Sequence, residues 1–163
     1  MKYKSYSDLF SSSFFVQVSS CAALLLICFS ASIKIYQVPF TLHTFGIVLG
    51  SFVFSRKSVY SAISLNIFFK LVFFGLISIE LIGYWIGFFI ASAFICFLKN
   101  SRLNRYMIAC TASLLILITG TSWIALIYGI THSISIGLLP FILKDTFLTC
   151  LAARVASYVN GRG

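Results

Sequence analysis

An acidic and a basic side chain stand next to each other in the last long apolar stretch of the chain. Lys144 and Asp145 lie within Gly137 to Tyr158, and Asp145 is one of three carboxylate residues in a sequence of 163. A charged side chain at the centre of a bilayer costs about 3 to 10 kcal/mol, so such residues mark functional sites by default. The pair therefore indicates a site for a polar ligand or an ion, with a self-neutralising pair that holds the last helix in place as the alternative.

Other chemical motifs are missing from the sequence. It contains no Walker loop, nucleophile elbow, HExxH motif or paired carboxylates, and His43 and His132 have no second candidate ligand at helical spacing. The cysteines lie in apolar stretches without a CxxC pair or metal-ligand spacing, which is typical of small packing residues: Cys21, Cys28, Cys96, Cys110 and Cys150. The sequence therefore predicts neither an enzyme nor a metal site, with no catalytic residues and no cofactor.

The composition indicates a membrane protein. Apolar residues make up 60% of the chain, charged residues 9%, and the mean hydropathy is +1.04. Soluble domains carry about 25% charged residues. The net charge of +9 does not indicate nucleic-acid binding, because the basic residues stand at the ends of apolar runs instead of forming one patch.

The apolar stretches divide the chain into six predicted membrane helices in one domain. A crossing needs roughly 20 apolar residues, so six helices leave only short loops. The predicted spans are Ser13 to Ile33, Leu42 to Phe54, Ser58 to Ile77, Leu81 to Leu98, Tyr106 to Tyr128 and Leu138 to Tyr158. The second span is short and follows Pro39, so it is expected to be tilted, broken or extended by the preceding loop. A chain with five spans is the alternative.

The distribution of basic residues predicts the orientation. Lysine and arginine are enriched in cytoplasmic loops. With six spans and a cytoplasmic amino terminus, all twelve basic residues except Lys34, Lys70 and Lys144 fall on the cytoplasmic side, and both termini are cytoplasmic. Five spans would separate the last two basic clusters. Cleavage of the first span as a signal peptide at Ser30-Ala31-Ser32 is a further alternative, although the run is long enough to span.

Small residues at spacing four predict where helices approach closely. Gly83, Gly87 and Ala91 form such a ridge on the fourth span, and Ser19 with Ala23 offers a small surface on the first. Such surfaces allow the chain's own helices to pack. The alternative is that one of them, on the first span, binds a partner membrane protein.

Several short motifs follow one another along the chain. The most specific are the stretch 38–45, VPFTLHTF, and Leu139-Pro140-Phe141 followed by Asp145. The basic turn Arg56-Lys57, the run 83–88, GYWIGF, and Gly120 with Trp123 lie between them. Together these motifs resemble the BioY family, the biotin-specific substrate-binding subunits of energy-coupling factor (ECF) transporters. The chain departs from the family at two single positions: His43 stands where Gln is usual, and Leu148 stands where a lysine is often found. It also has a shorter loop between the third and fourth helices, and Lys70-Leu71-Val72-Phe73 replaces the usual entry to that loop, which resembles Leu-Pro-Val-Phe.

The resemblance implies an all-α integral membrane protein, a six-transmembrane-helix bundle like other ECF transporter S components. It implies a pocket at the exterior side and biotin as the ligand. It also implies residence in the bacterial plasma membrane and association with a transmembrane scaffold and a pair of cytoplasmic ATPases.

The chemistry of biotin suits the polar residues of the sequence. An ionised Asp145 accepts hydrogen bonds, as the two ureido N–H groups require, and Lys70 or Lys144 can donate to the ligand carboxylate. The remaining predicted contacts are aromatic walls from Phe40 and Tyr84 and neutral hydrogen bonds from Thr41, His43 or Asn66.

For three of these residues the alternative is a structural role without ligand contact. Tyr84 could belong to an interfacial aromatic belt, Asn66 could form a helix–helix hydrogen bond, and His43 could face water from a loop. For the whole chain, the alternatives are an S component for another vitamin, an independent secondary transporter, and a structural or assembly protein.

Overall fold

The computed structural model describes residues 14–35, 38–74, 79–134 and 138–161, apart from the side chains of residues 32–40, 74, 80, 132, 139 and 140. Within these ranges the long elements are α1 (Phe14–Ser30), β1 (Ser32–Ile35), β2 (Val38–Thr41), α2 (His43–Val53), α3 (Arg56–Phe74), α4 (Ile82–Leu98), α5 (Arg105–Tyr128) and α6 (Leu139–Val159). A 3-10 turn, Ile79–Leu81, leads into α4, and one helical turn, Ile130–Ser133, follows α5. The predicted six-helix bundle is confirmed.

The first predicted span ends differently in the structure. Helix α1 stops at Ser30, and Ile33, which the sequence placed in the helix, lies in β1 and pairs with Phe40 of the antiparallel strand β2. Alternating β-branched residues favour an extended chain here. Pro39 lacks an N–H for a strand ladder, which a two-stranded hairpin with open edges tolerates. The β-hairpin was not predicted.

Helix α2 is short and lies at the centre of the bundle. Its 11 residues span about 16 Å, which is less than the hydrocarbon thickness of about 30 Å. It packs against α1, α4 and α6, and eight of its residues are buried. A Cβ at Gly46 would lie 3.0 Å from Cβ of Cys28 on α1, so glycine permits this close approach. The hairpin of β1 and β2 directly precedes α2 in the chain.

Helices α4 and α5 pack closely through glycines. A Cβ at Gly87 would lie 3.0 Å from the Cα of Ile116, and Gly83 faces the side chain of Trp123. On α5, Gly120 faces the ring of Tyr84. The small-residue ridge predicted on the fourth span is therefore buried inside the chain, where it lets two backbones approach.

Two basic side chains cap helix ends at the side of the bundle opposite the hairpin. The Lys99 ammonium donates to the carbonyl oxygens of Ser51 and Phe54, at 3.2 and 2.6 Å. Arg105 donates from Nη1 to the carbonyl oxygen of Ala156 at 3.1 Å. The last carbonyl groups of a helix lack partners within the helix and carry partial negative charge. These cations therefore stabilise the ends of α2 and α6.

The outer surface of the bundle is apolar. Large hydrophobic side chains are strongly exposed on several helices, with Leu126 and Phe97 each 82% exposed. Such surface belongs in lipid. Among the described residues, α5 is the helix that is long and apolar enough to cross a membrane by length and composition; α1, α2 and α4 are shorter apolar helices.

Candidate functional site

A cavity of about 300 Å³ lies inside the bundle next to β2. Every one of the six helices contributes to its wall, with these representatives from α1 to α6: Phe29, His43, Lys70, Tyr84, Ile116 and Asp145. Small-molecule pockets span about 300 to 1,000 Å³ and combine apolar walls with a few polar groups. The cavity has the size and composition of a site for a small ligand.

The cavity brings most of the predicted site residues together. Six of them line it: Thr41, His43, Lys70, Tyr84, Lys144 and Asp145. Phe40 lies in β2, but its side chain is outside the described part of the structure. Thr41 and His43 lie close together in the wall because β2 ends at Thr41 and α2 begins at His43.

Asn66 lies elsewhere and holds two helices together. Its side chain is 2% exposed, and Nδ2 donates to the carbonyl oxygens of Ala22 at 3.3 Å and Ala62 at 2.9 Å. The amide thus links α1 to α3, which matches the helix–helix interpretation of this residue. Asn66 is not part of the cavity wall.

Lys144 and Asp145 form an ion pair at the cavity wall. Lys144 Nζ lies 3.0 Å from Oδ1 of Asp145, and their side chains are 12% and 4% exposed. Thr44, in the first turn of α2, also lines this part of the cavity. Lys144 also donates to the carbonyl oxygen of Thr41 at 3.1 Å and lies 4.6 Å from the ring centroid of Phe141. One ammonium therefore connects α6, the carboxylate and the end of the hairpin.

Lys70 and His43 form a second polar group. Lys70 Nζ lies 3.5 Å from Nε2 of His43 and 5.0 Å from the ring centroid of Phe29. The imidazole packs against Phe29 at a tilt of 42° and stacks on Phe88 at 14°, with ring centroids 4.1 and 6.0 Å apart. His43 therefore packs against two aromatic rings in the cavity wall, in contrast to the water-facing interpretation.

Aromatic rings form much of the remaining wall. Tyr84, Trp85 and Phe88 come from α4 and Phe141 from α6, and the rings of Tyr84 and Phe141 lie 6.4 Å apart. Aromatic surfaces in this arrangement bind flat or bicyclic apolar groups while excluding water. The cavity suits a ligand that is polar at its ends and apolar in its middle.

Sequence reasoning did not assign several residues of the wall. Phe29, Trp85 and Phe88 stand in long apolar runs, where nothing distinguishes a cavity residue from one that faces lipid. Thr44 follows His43 directly, at the start of a span and beside a residue already selected. A polar side chain in an apolar helix was the feature of the sequence that could have identified Thr44 as a cavity residue. The described residues contain no group of three His, Cys, Asp or Glu side chains that could hold a metal ion.

Comparisons with known proteins identify related sequences and folds. A model of the BioY family matches residues 4–162. Among solved structures, the S-component for biotin from an ECF-type ABC transporter matches with a TM-score of 0.72 and 17% sequence identity, covering 92% of each chain. No curated protein matches the chain.

Proposed function

Because the chain belongs to the BioY family, we propose that it is the membrane-embedded, biotin-binding subunit of a vitamin uptake system in the bacterial plasma membrane. The family consists of transporter components, so the protein is not an enzyme. The observation that carries the proposal is the cavity inside the bundle, in which a buried carboxylate and two lysines are combined with aromatic walls.

The polar groups of the cavity complement the ends of biotin. The ureido ring of biotin presents two N–H donors, which a carboxylate such as Asp145 accepts, and the valeryl chain ends in a carboxylate, which a lysine binds. Tyr84 and Phe40 wall the bicyclic ring in this proposal, and Thr41 and His43 supply neutral hydrogen bonds. Burying an ionised group without a partner is costly, so ligands that lack these groups bind more weakly.

Transport needs partners in this proposal. The sequence has no phosphate-binding loop for ATP, and the structural relative is a component of an ECF-type ABC transporter. We propose that a transmembrane scaffold and two cytoplasmic ATPases associate with the chain. Biotin then enters from the exterior side, and both termini lie in the cytoplasm.

Equilibrium binding of labelled biotin to the purified, detergent-solubilised chain tests the proposal. We expect saturable binding at one site per chain that unlabelled biotin displaces and other vitamins do not. Phe97→Ala is a matched control, because Phe97 is 82% exposed on the outer surface and its loss leaves the cavity unchanged. Displacement by another vitamin would assign a different ligand to this cavity, and the absence of saturable binding would refute the proposal.

A further inference from the structure

The charged residues of the cavity wall do not balance. Lys70, Lys144 and Asp145 line it, which gives two cations and one carboxylate. His43 adds no charge in this arrangement, because an ammonium has only donors and His43 Nε2 must accept the hydrogen bond from Lys70. The described wall therefore carries one excess positive charge, which a ligand with a single negative charge would neutralise.

Lys144 is committed to groups of the protein. Asp145 lies 3.0 Å from its ammonium, the carbonyl oxygen of Thr41 accepts a hydrogen bond at 3.1 Å, and the ring of Phe141 covers it at 4.6 Å. An ammonium has three N–H donors. Turning Lys144 toward a ligand would remove the counter-ion of a buried carboxylate and release the end of the hairpin.

Lys70 has weaker contacts within the protein. His43 Nε2 lies at the long distance of 3.5 Å, and the Phe29 ring at 5.0 Å is a neutral surface. A carboxylate binds an ammonium more strongly than an imidazole nitrogen does, because the hydrogen bond joins two opposite charges. His43 and Phe29 hold the Lys70 ammonium at the cavity wall without neutralising it.

We infer that Lys70 selects the carboxylate of the ligand, with His43 as a positioning residue, and that Lys144 instead positions Asp145 and the hairpin. This assignment rests on the proposed function, since it takes biotin as the ligand. It makes Lys70 the residue that separates biotin from neutral analogues with the same ring system. Lys144 then affects both kinds of ligand equally.

Binding of biotin and of biotinamide to the same detergent-solubilised proteins tests the assignment. Biotinamide keeps the ureido and sulfur-containing rings but lacks the negative charge. We expect the wild-type chain to prefer biotin by roughly 10- to 100-fold, the range for a hydrogen bond to a charged group. In Lys70→Met this preference should fall to about 2-fold or less, while Lys70→Arg, which keeps the charge, retains most of it. Lys144→Met should weaken both ligands by a similar factor and leave the preference intact.

The ratio of the two dissociation constants separates the possible results. A variant that is partly misfolded loses binding sites for both ligands, but the ratio measured on its remaining sites still reports recognition of the carboxylate. An unchanged preference in Lys70→Met, or a preference lost in Lys144→Met, would overturn the assignment while leaving biotin binding established. Wild-type protein that binds neither ligand would refute the proposed function itself, and the assignment with it.

Discussion

Asp145 combines burial, charge and position in the cavity more completely than any other described residue. Its carboxylate forms an ion pair with Lys144 and lines the cavity. Replacing it by alanine removes the proposed acceptor for the ureido N–H groups and leaves the Lys144 ammonium buried without a counter-ion. A hydrogen bond to a charged group contributes about 1.5 to 3 kcal/mol, and the variant loses both of those proposed to the ureido ring.

We therefore expect Asp145→Ala to reduce biotin affinity by more than about 100-fold in equilibrium binding. Thr146→Ala is the matched control, because Thr146 is the next residue on α6, is exposed, and donates to the carbonyl oxygen of Ile142 in its own helix. Wild-type affinity in Asp145→Ala would exclude the carboxylate from the binding site.

His43 has a role that a different side chain can test. Its Nε2 faces Lys70, and its ring packs against Phe29 and Phe88. Glutamine keeps an acceptor of similar reach, whereas leucine removes the acceptor and keeps apolar bulk. We expect His43→Gln to bind biotin within about 3-fold of wild type and His43→Leu to bind roughly 10-fold more weakly, since one hydrogen bond to a charged group is lost. Equal affinities in the two variants would show that the acceptor is unimportant.

The polar residues of the site were largely accessible to sequence reasoning, and the apolar ones were not. Charge inside an apolar run selected Lys70, Lys144 and Asp145, since burial of charge needs a reason. Phe29 and Ile116 carry no comparable signal, because lipid, protein core and cavity accept the same side chains. Asn66 shows the limit for polar residues: a buried amide satisfies two carbonyl groups between helices as well as it could a ligand.

At the scale of elements, the contact between α4 and α5 determines the position of an aromatic wall. Gly120 on α5 faces the ring of Tyr84 on α4, and Tyr84 lines the cavity. A side chain at position 120 would occupy the space of this ring, and overpacking of this kind costs about 1 to 3 kcal/mol.

We expect Gly120→Ala to weaken biotin binding by roughly 10-fold, because the Tyr84 ring is displaced toward the ligand. Ser122→Ala, an exposed position on the same helix, should change the affinity by less than about 2-fold. Binding measured for both variants against wild type is the test. Unchanged affinity in Gly120→Ala would mean that the ring moves without affecting the ligand.

Within the described part of the chain, helix α1 carries an exposed ridge. Ser19 and Ala23 are exposed, and Phe15 and Ile27, at the same spacing of four, are 77% and 67% exposed. The small-residue ridge of α4 is buried, so of the two only the α1 surface can meet another protein. Small residues allow close approach of a partner helix.

We expect Ala23→Leu to lower the amount of transmembrane scaffold that copurifies with the affinity-tagged chain by roughly 10-fold, with biotin affinity unchanged. Leu26→Ala, at another exposed position of α1, serves as the control. Full recovery of the scaffold with Ala23→Leu would place the partner surface elsewhere.

For the whole molecule, the distribution of charge predicts an orientation. Arg56 and Lys57, the Lys99 to Arg105 turn and Arg154 stand at one end of the helices, and the cavity with Lys70 and Lys144 lies toward the other. Positively charged loops remain in the cytoplasm. This rule predicts that the cavity faces the exterior side.

A reporter fused to the carboxyl terminus tests this orientation. We expect a green fluorescent protein fusion to fluoresce and an alkaline phosphatase fusion at the same point to be inactive, because the former matures in the cytoplasm and the latter outside it. The reverse pattern would place the cavity on the cytoplasmic side and contradict uptake from the exterior.

The number and order of the helices followed from the sequence, whereas the hairpin did not. Apolar runs of sufficient length, divided by basic turns, determine the helices, because a buried backbone in lipid must satisfy its own hydrogen bonds. Strand β1 lies at the end of the first apolar run, and residues such as Ile33 and Ile35 suit a helix in lipid and a strand equally well. Pairing with β2 makes these residues a strand, and this pairing depends on the tertiary structure and not on the local sequence.

The contact between Lys144 and Thr41 has a consequence for how this protein tolerates mutation. The lysine reaches the main-chain oxygen of residue 41, which every amino acid provides. A substitution at position 41 thus keeps the hydrogen bond that holds the hairpin, whereas a shorter side chain at position 144 loses it. A substitution at position 41 should therefore affect the site through its lost side chain alone, whereas a shortened residue at position 144 should also release the hairpin.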